Sequence, residues 1–318
     1  MREILRELRR TPDESAFAPA KAQWQPPGVP DFQTDRSVAG RMMDSMAESL
    51  QGSRQVRRTE CRITTAGIVC PVQHATLRLD AVKQTARAHG VRIQPLFLAS
   101  IFEGLSVLLQ DELQSGRWRK EIRIQTPVDL RQDHPEYSDD PRGQFLGCIA
   151  NSISFRQSRS FTEILELLNR ESHRLRDSAQ ASRCLCRMET MAHVWDWVPR
   201  SWNRLVSPAL FSAAALSSNV NLGNFFAEEV RVGQIASCLR FTGTGILIPL
   251  MIGLTTVGEE IFLTMTSHEG AFTTSELQLL MDHLVNRMTE IPRLPAAGIR
   301  LPAPQESSSV ASLRTAGV

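Results

Sequence analysis

Three groups of residues in this 318-residue chain have the types and spacing that chemistry needs. Thr242-Gly243-Thr244-Gly245 is a glycine-rich turn of the kind whose backbone amides cradle phosphates. A dinucleotide fingerprint must open a helix, however, and here an apolar, strand-like run begins at Ile246, so a simple turn is expected. Cys184 and Cys186 form a C-x-C pair with no second pair at zinc-ligand spacing. Two thiolates do not close a tetrahedral site, so no metal is expected and the pair reads as small buried residues on a helix. His193, Trp195, Asp196 and Trp197 form the third group, and a helix puts His193 and Trp197 on one side. A His–Asp acid–base pair is conceivable there, but no nucleophile accompanies it, and helix packing through aromatic anchors is the simpler reading. None of the three groups supplies a catalytic residue.

Composition narrows the classes. The 36 basic and 34 acidic residues give a net charge of +2, which builds no surface for tracking phosphates, so no nucleic-acid partner is expected. A hydrophobic content of 42% over this length is enough for a buried core. The six cysteines are scattered through a chain too large to need staples and read as reduced thiols. The N-terminal run from Met1 to Arg10 is charged and amphipathic, without the apolar stretch of a signal peptide. The most apolar segment, Gly245 to Thr256, is too short to span a bilayer as a helix and contains Pro249. No transmembrane segment is expected, and a cytoplasmic location is the corresponding expectation.

Periodicity orders the elements. Ile4, Leu5 and Leu8 mark a short helix, a proline-rich connector runs to about Asp35, and Met42, Met43, Met46 and Leu50 mark a second helix. The span from Arg58 to Val72 is β-prone, and Thr76 to Leu79 alternates into Asp80, the expected N-cap of a helix ended by Gly90. A helix from Pro95 to about Leu113 is apolar on nearly every face and should be central. Ile122, Ile124 and Thr126 alternate in a strand ending at Pro127-Val128-Asp129-Leu130-Arg131, and after an acidic loop Leu146 to Phe155 resumes strand character. A long amphipathic helix starts near Phe161, and a tryptophan-rich helical stretch runs from Ser182 to Val206. Strands are expected at 213–219, 229–235, 246–255 and 261–267, with a hairpin turn at Gly258-Glu259-Glu260, then a helix from Ser275 to Met288 capped by Thr273 or Thr274. The organisation expected is 1–75 as N-terminal helices and connector, 76–292 as one α/β lobe, and 293–318 as a disordered tail.

The order of these pieces resembles the C-terminal lobe of the condensation-domain and chloramphenicol-acetyltransferase-like superfamily, which includes the wax ester synthase and diacylglycerol acyltransferase enzymes. Pro127-Val128-Asp129-Leu130-Arg131, Gly147 with Asn151, Ser218-Asn219-Val220-Asn221-Leu222-Gly223 and the helix from Leu79 to Gly90 carry the resemblance, over Leu77 to Ile291. It implies an α/β fold, an α+β sandwich in which a mixed sheet is flanked by helices. Its enzymes transfer an acyl group from a coenzyme A or carrier-protein thioester to an alcohol or amine, using an H-H-x-x-x-D-G motif whose second histidine is the base. That motif does not occur in this sequence; Gln73-His74 and His193 lack its neighbours.

The resemblance implies further roles. Ser218, Asn219 and Asn221 fall on a strand that faces the family's substrate tunnel, where amides and hydroxyls stabilise an oxyanion; an asparagine bonded to its own backbone in a bulge is the competing reading. Arg131 falls where the family's arginine holds the aspartate of the histidine motif. Without that aspartate, another acid, with Asp129 and Asp133 the candidates near in sequence, or water must meet the guanidinium, or Arg131 is an exposed strand-end residue. Thr242 to Gly245 becomes a turn bordering the tunnel.

No bound cofactor is expected; acyl-CoA or an acyl carrier protein is the implied co-substrate. The leucine-rich first helix and proline-rich connector are similar to the segment that succeeds the histidine motif in the family. The chain is therefore expected to be a truncated gene product, half of a split enzyme, or a lobe retained for binding. A carrier protein, an N-terminal-lobe subunit or a second copy are the partners implied.

Overall fold

The computed structural model describes residues 70–115, 120–129, 146–177, 213–222, 237–244, 248–268 and 271–291. In chain order these form β1 (Val72–Arg78), α1 (Leu79–Ala88), α2 (Ile93–Leu108), α3 (Gln110–Ser115), β2 (Glu121–Asp129), β3 (Leu146–Ser154), α4 (Phe161–Asp177), β4 (Ala215–Asn221), β5 (Leu250–Val257), β6 (Glu260–Ser267) and α5 (Thr274–Thr289). The two N-terminal helices, Arg131, the Cys184–Cys186 pair, the tryptophan-rich stretch with His193, the strand expected at 229–235 and the tail lie outside the described residues.

The strands form one six-stranded sheet in the order β1-β6-β5-β4-β2-β3. β4 runs parallel to both β2 and β5, whereas the β1–β6, β5–β6 and β2–β3 pairs are antiparallel. The sheet is therefore mixed and flanked by helices, as an α/β lobe of this type requires. Cross-strand register defines its faces, because side chains in one row share a side and alternate along each strand. The row Ala75–Leu263–Leu254–Asn219 lies on the helix side. The adjacent row His74–Thr264–Gly253–Ser218 lies on the opposite side.

Ile122, Ile124, Ile153, Ile252, Leu254, Ile261, Leu263 and Met265 join the core with residues of α2, α4 and α5. α2 occupies the centre, packed against both α4 and α5. Leu96, Phe97, Ile101, Phe102 and Leu105 on α2 are fully buried, each worth roughly 1.5–3 kcal/mol of transfer free energy. Gly104 lets α5 approach, since a Cβ there would collide with Leu280 and press on His283.

Two helix boundaries differ from the periodicity. The helix expected to reach Leu113 stops at Leu108, and α3 starts afresh at Gln110. The break is at Leu109, whose φ of −102° and ψ of 20° leave the helical region. Asp80 is not the N-cap: α1 starts at Leu79, and the Asp80 carboxylate accepts from the Ala81 amide at 2.9 Å and from Arg78 at 3.1 Å within the first turn. Gly90 does end the helix, at a φ of +67° that suits glycine. Gly258 makes the β5–β6 hairpin turn at a φ of +58°. At α5 the expected cap is complete: Thr273 accepts from the Glu276 amide and Glu276 accepts from the Thr273 amide.

Among the described residues no single helix is long and apolar enough to cross a membrane, and no group of three or more His, Cys, Asp or Glu could hold a metal ion. Cys70, Cys148 and Cys238 are not joined in disulfides.

Candidate functional site

Parallel pairing brings the carboxyl ends of β2, β4 and β5 to one edge of the sheet, where ligands commonly bind in open α/β sheets. α2 starts at the same edge. There Asn219 Nδ2, on β4, donates to Gln94 Oε1, in the first turn of α2, at 2.8 Å. Asn219 is exposed, Gln94 half-buried. The Gln94 Nε2 atom is buried with no partner among the described residues, so this amide pair holds an unspent donor.

Deeper between the strands, the β2–β4 ladder covers just Ile124–Ala215 and Gln125–Leu216. Beyond it side chains take over. The hydroxyls of Thr126 and the fully buried Ser217 lie 2.7 Å apart, and Ser217 approaches the Gln125 carbonyl at 3.5 Å. The Ser217 hydroxyl thus links β4 to β2 where their backbone ladder ends.

The three residues assigned to the oxyanion site are divided by the pleat. Asn219 and Asn221 stand on the helix side, and both are exposed. Ser218 is turned to the opposite side and is buried, its hydroxyl accepting from Arg240 Nη1 at 3.0 Å. Asp129 ends β2 opposite Leu146, half-buried, while Arg131 lies outside the described residues. Thr242 to Thr244 form no regular element; Thr244 Oγ1 lies 3.8 Å from Cys70 Sγ, and an apolar strand comes next, as expected. Asn151 is buried on the helix side of β3, opposite Ile124.

Gln94 and Arg240 were not visible as site residues in the sequence. Gln94 is separated from its partner by 125 positions, and its only local signal is a polar residue at the head of an otherwise apolar helix. Arg240 could have been flagged as a lone charge between Leu239 and Phe241 before a buried strand.

The sequence matches no family model and no curated protein. Solved structures do match. The nonribosomal peptide synthetase cyclization-docking bidomain EpoB from Sorangium cellulosum superposes with a TM-score of 0.53 at 13% identity, over 81% of this chain and 50% of that one. The chain has the condensation-domain-like acyltransferase fold.

Other solved structures match at lower scores. The nonribosomal peptide synthetase FmoA3 gives a TM-score of 0.49 at 15% identity, over 80% of this chain and 27% of that one. The PapA2 acyl transferase gives 0.48 at 12% identity, over 80% and 51%. The chain spans about half the length of the bidomain. Fold alone does not assign an activity, and the condensation-type fold serves here as the frame on which the amide pair is mounted.

Proposed function

We propose that this chain is an acyltransferase-type lobe that holds an acyl thioester, from coenzyme A or a carrier protein, against an alcohol or amine acceptor without supplying its own general base. The observation that carries this reading is the Asn219–Gln94 amide pair at the carboxyl edge of a condensation-type sheet. Attack on a thioester carbonyl builds negative charge on oxygen, which N–H donors stabilise. Among the described residues Asn219 spends one N–H on Gln94 and has no acceptor for the other, and Gln94 holds a buried donor with no acceptor. A carrier protein is proposed as a thioester source because the matched bidomain belongs to a nonribosomal peptide synthetase.

The sequence holds no H-H-x-x-x-D-G motif. Loss of a general base removes about 10²- to 10⁴-fold of rate, leaving orientation and oxyanion stabilisation. The test is thiol release by the full chain from a panel of acyl-CoAs and acyl carrier proteins, with alcohol and amine acceptors. Slow release that rises with added imidazole and falls in Asn219→Ala is the expected result. No consumption of any thioester, with or without imidazole, ends the proposal.

A second reading is a non-catalytic lobe that complements a separate subunit, another copy or a carrier protein. It is favoured by the same missing motif. Sedimentation at rising concentration distinguishes it: association supports this reading, and a strict monomer at high concentration counts against it.

A further inference from the structure

On the side of the sheet away from the helices, the segment 237–244 carries Leu239 and Phe241 outward and Arg240 inward. The Arg240 guanidinium lies over the row of Ser218, Gly253 and Thr264. Nη1 donates to Ser218 Oγ at 3.0 Å, Nη2 to the Ser218 carbonyl at 3.4 Å, and Nε to Thr255 Oγ1 at 3.4 Å. Thr264 Oγ1 in turn donates to the Arg240 carbonyl at 2.7 Å, which fixes the backbone. Gly253 forms the floor. A Cβ there would meet Thr264 Oγ1 at 2.6 Å and stand 3.8 Å from Arg240 Nη2.

This environment is unusual for a charge. All three acceptors are neutral, and no carboxylate meets the guanidinium among the described residues. Burial pushes Arg240 below the usual arginine range, with Cys238 pulling the other way. A half-buried cation without a counter-charge loses hydration that hydroxyls only partly replace. A guanidinium has five N–H donors, of which three are spent here.

We infer that Arg240, held over Gly253 by Ser218 and Thr255, forms a binding site for a small oxyanion, the phosphate or carboxylate terminus of a ligand. The remaining donors give the charge-assisted hydrogen bonds that such a group takes from arginine. Because Ser218 and Asn219 face opposite sides of the sheet, occupancy here does not depend on thioester binding at Asn219.

The test is titration of the full chain with inorganic phosphate and, separately, with acetate, against chloride at matched ionic strength, read by Arg Nε–H NMR and by melting temperature. Saturable binding of phosphate or acetate is expected, and the tighter of the two identifies the terminus as phosphate or carboxylate. Arg240→Met should bind roughly tenfold more weakly or worse, yet melt no lower than the wild type without anion, because an apolar side chain replaces a half-buried cation that meets no counter-charge among the described residues. Ser218→Ala, which loosens the guanidinium without removing it, should weaken binding several-fold. Binding of neither anion above chloride, undiminished binding by Arg240→Met, or a marked fall in its melting temperature would each overturn the site.

Discussion

Asn219 Nδ2 and Gln94 Oε1 are 2.8 Å apart, joining the exposed end of β4 to the first turn of α2. The bond ties β4, whose ladder with β2 covers just two positions, to the helix at the centre of the core. Removing Asn219 leaves Gln94 Oε1 without its donor. Asn219→Ala should therefore cost about 1–2 kcal/mol, and the double variant Asn219→Ala/Gln94→Leu should cost less than the sum of the singles. Urea unfolding of the four species gives the coupling; strict additivity would show that the bond contributes nothing.

Acid should unfold this lobe in two stages. Glu103 on α2 receives Arg287 of α5 through Nε at 2.7 Å and Nη2 at 2.8 Å, with His283 Nε2 3.1 Å away but misaligned for a hydrogen bond. Burial, the largest influence, pushes the Glu103 carboxyl up, but Arg287 and His283 together outweigh it and hold it below the usual range. His89 packs edge-on against Phe161, over which Arg287 also lies. Burial first, and then the charge of Arg287, lower the His89 pKa. Both folded-state values lie below the unfolded ones, so each contribution is present above the unfolded pKa and is lost as pH falls through the folded one. Stability should first decline below about pH 6.5 and decline again below about pH 4.3. In pH-dependent denaturation, His89→Asn should flatten the upper stage and Glu103→Gln the lower.

The caps of α4 and α5 are built alike. Ser160 and Thr273 accept from the amides of Glu163 and Glu276, whose carboxylates return to the cap amides at 2.7 and 2.8 Å. Thr273→Ala and Ser160→Ala should each cost about 1 kcal/mol, and Thr273→Ser should restore most of the loss. Chemical denaturation of the three variants checks this; no loss in either alanine variant would contradict it.

Gly104→Ala should destabilise by about 1–3 kcal/mol, because Leu280 and His283 already fill the space a methyl needs. Gly90→Ala acts differently. Nothing lies within 4 Å of a Cβ there, so its cost comes from the backbone φ of +67°. Melting temperatures should fall in both, while Leu280→Ala should rescue part of the Gly104→Ala loss and none of the Gly90→Ala loss.

Local pattern carried much of the architecture. The all-round apolar run of α2 marked it as central, the alternation of Ile122, Ile124 and Thr126 marked β2, the strand character of Leu146 to Phe155 marked β3, and the threonine pair Thr273-Thr274 marked the start of α5. Periodicity did not mark the end of α2, because Leu105 before the break, Leu109 at it and Leu113 beyond it are all buried. The candidate site was harder to read because pairing makes it. Ser218 and Asn219 look like one polar surface in the sequence, but the pleat sends them to opposite sides, one to Arg240 and one to Gln94. Neither partner is close in sequence, and a one-dimensional pattern holds no record of cross-sheet neighbours.

The most direct measurement is titration of the full chain with an acyl-CoA while the side-chain amide NMR signals of Asn219 and Gln94 are followed. Thioester handling at the carboxyl edge of β4 predicts that both signals shift together and saturate, and that Asn219→Ala weakens binding. Signals that stay in place through millimolar acyl-CoA, or affinity unchanged in Asn219→Ala, would contradict the account.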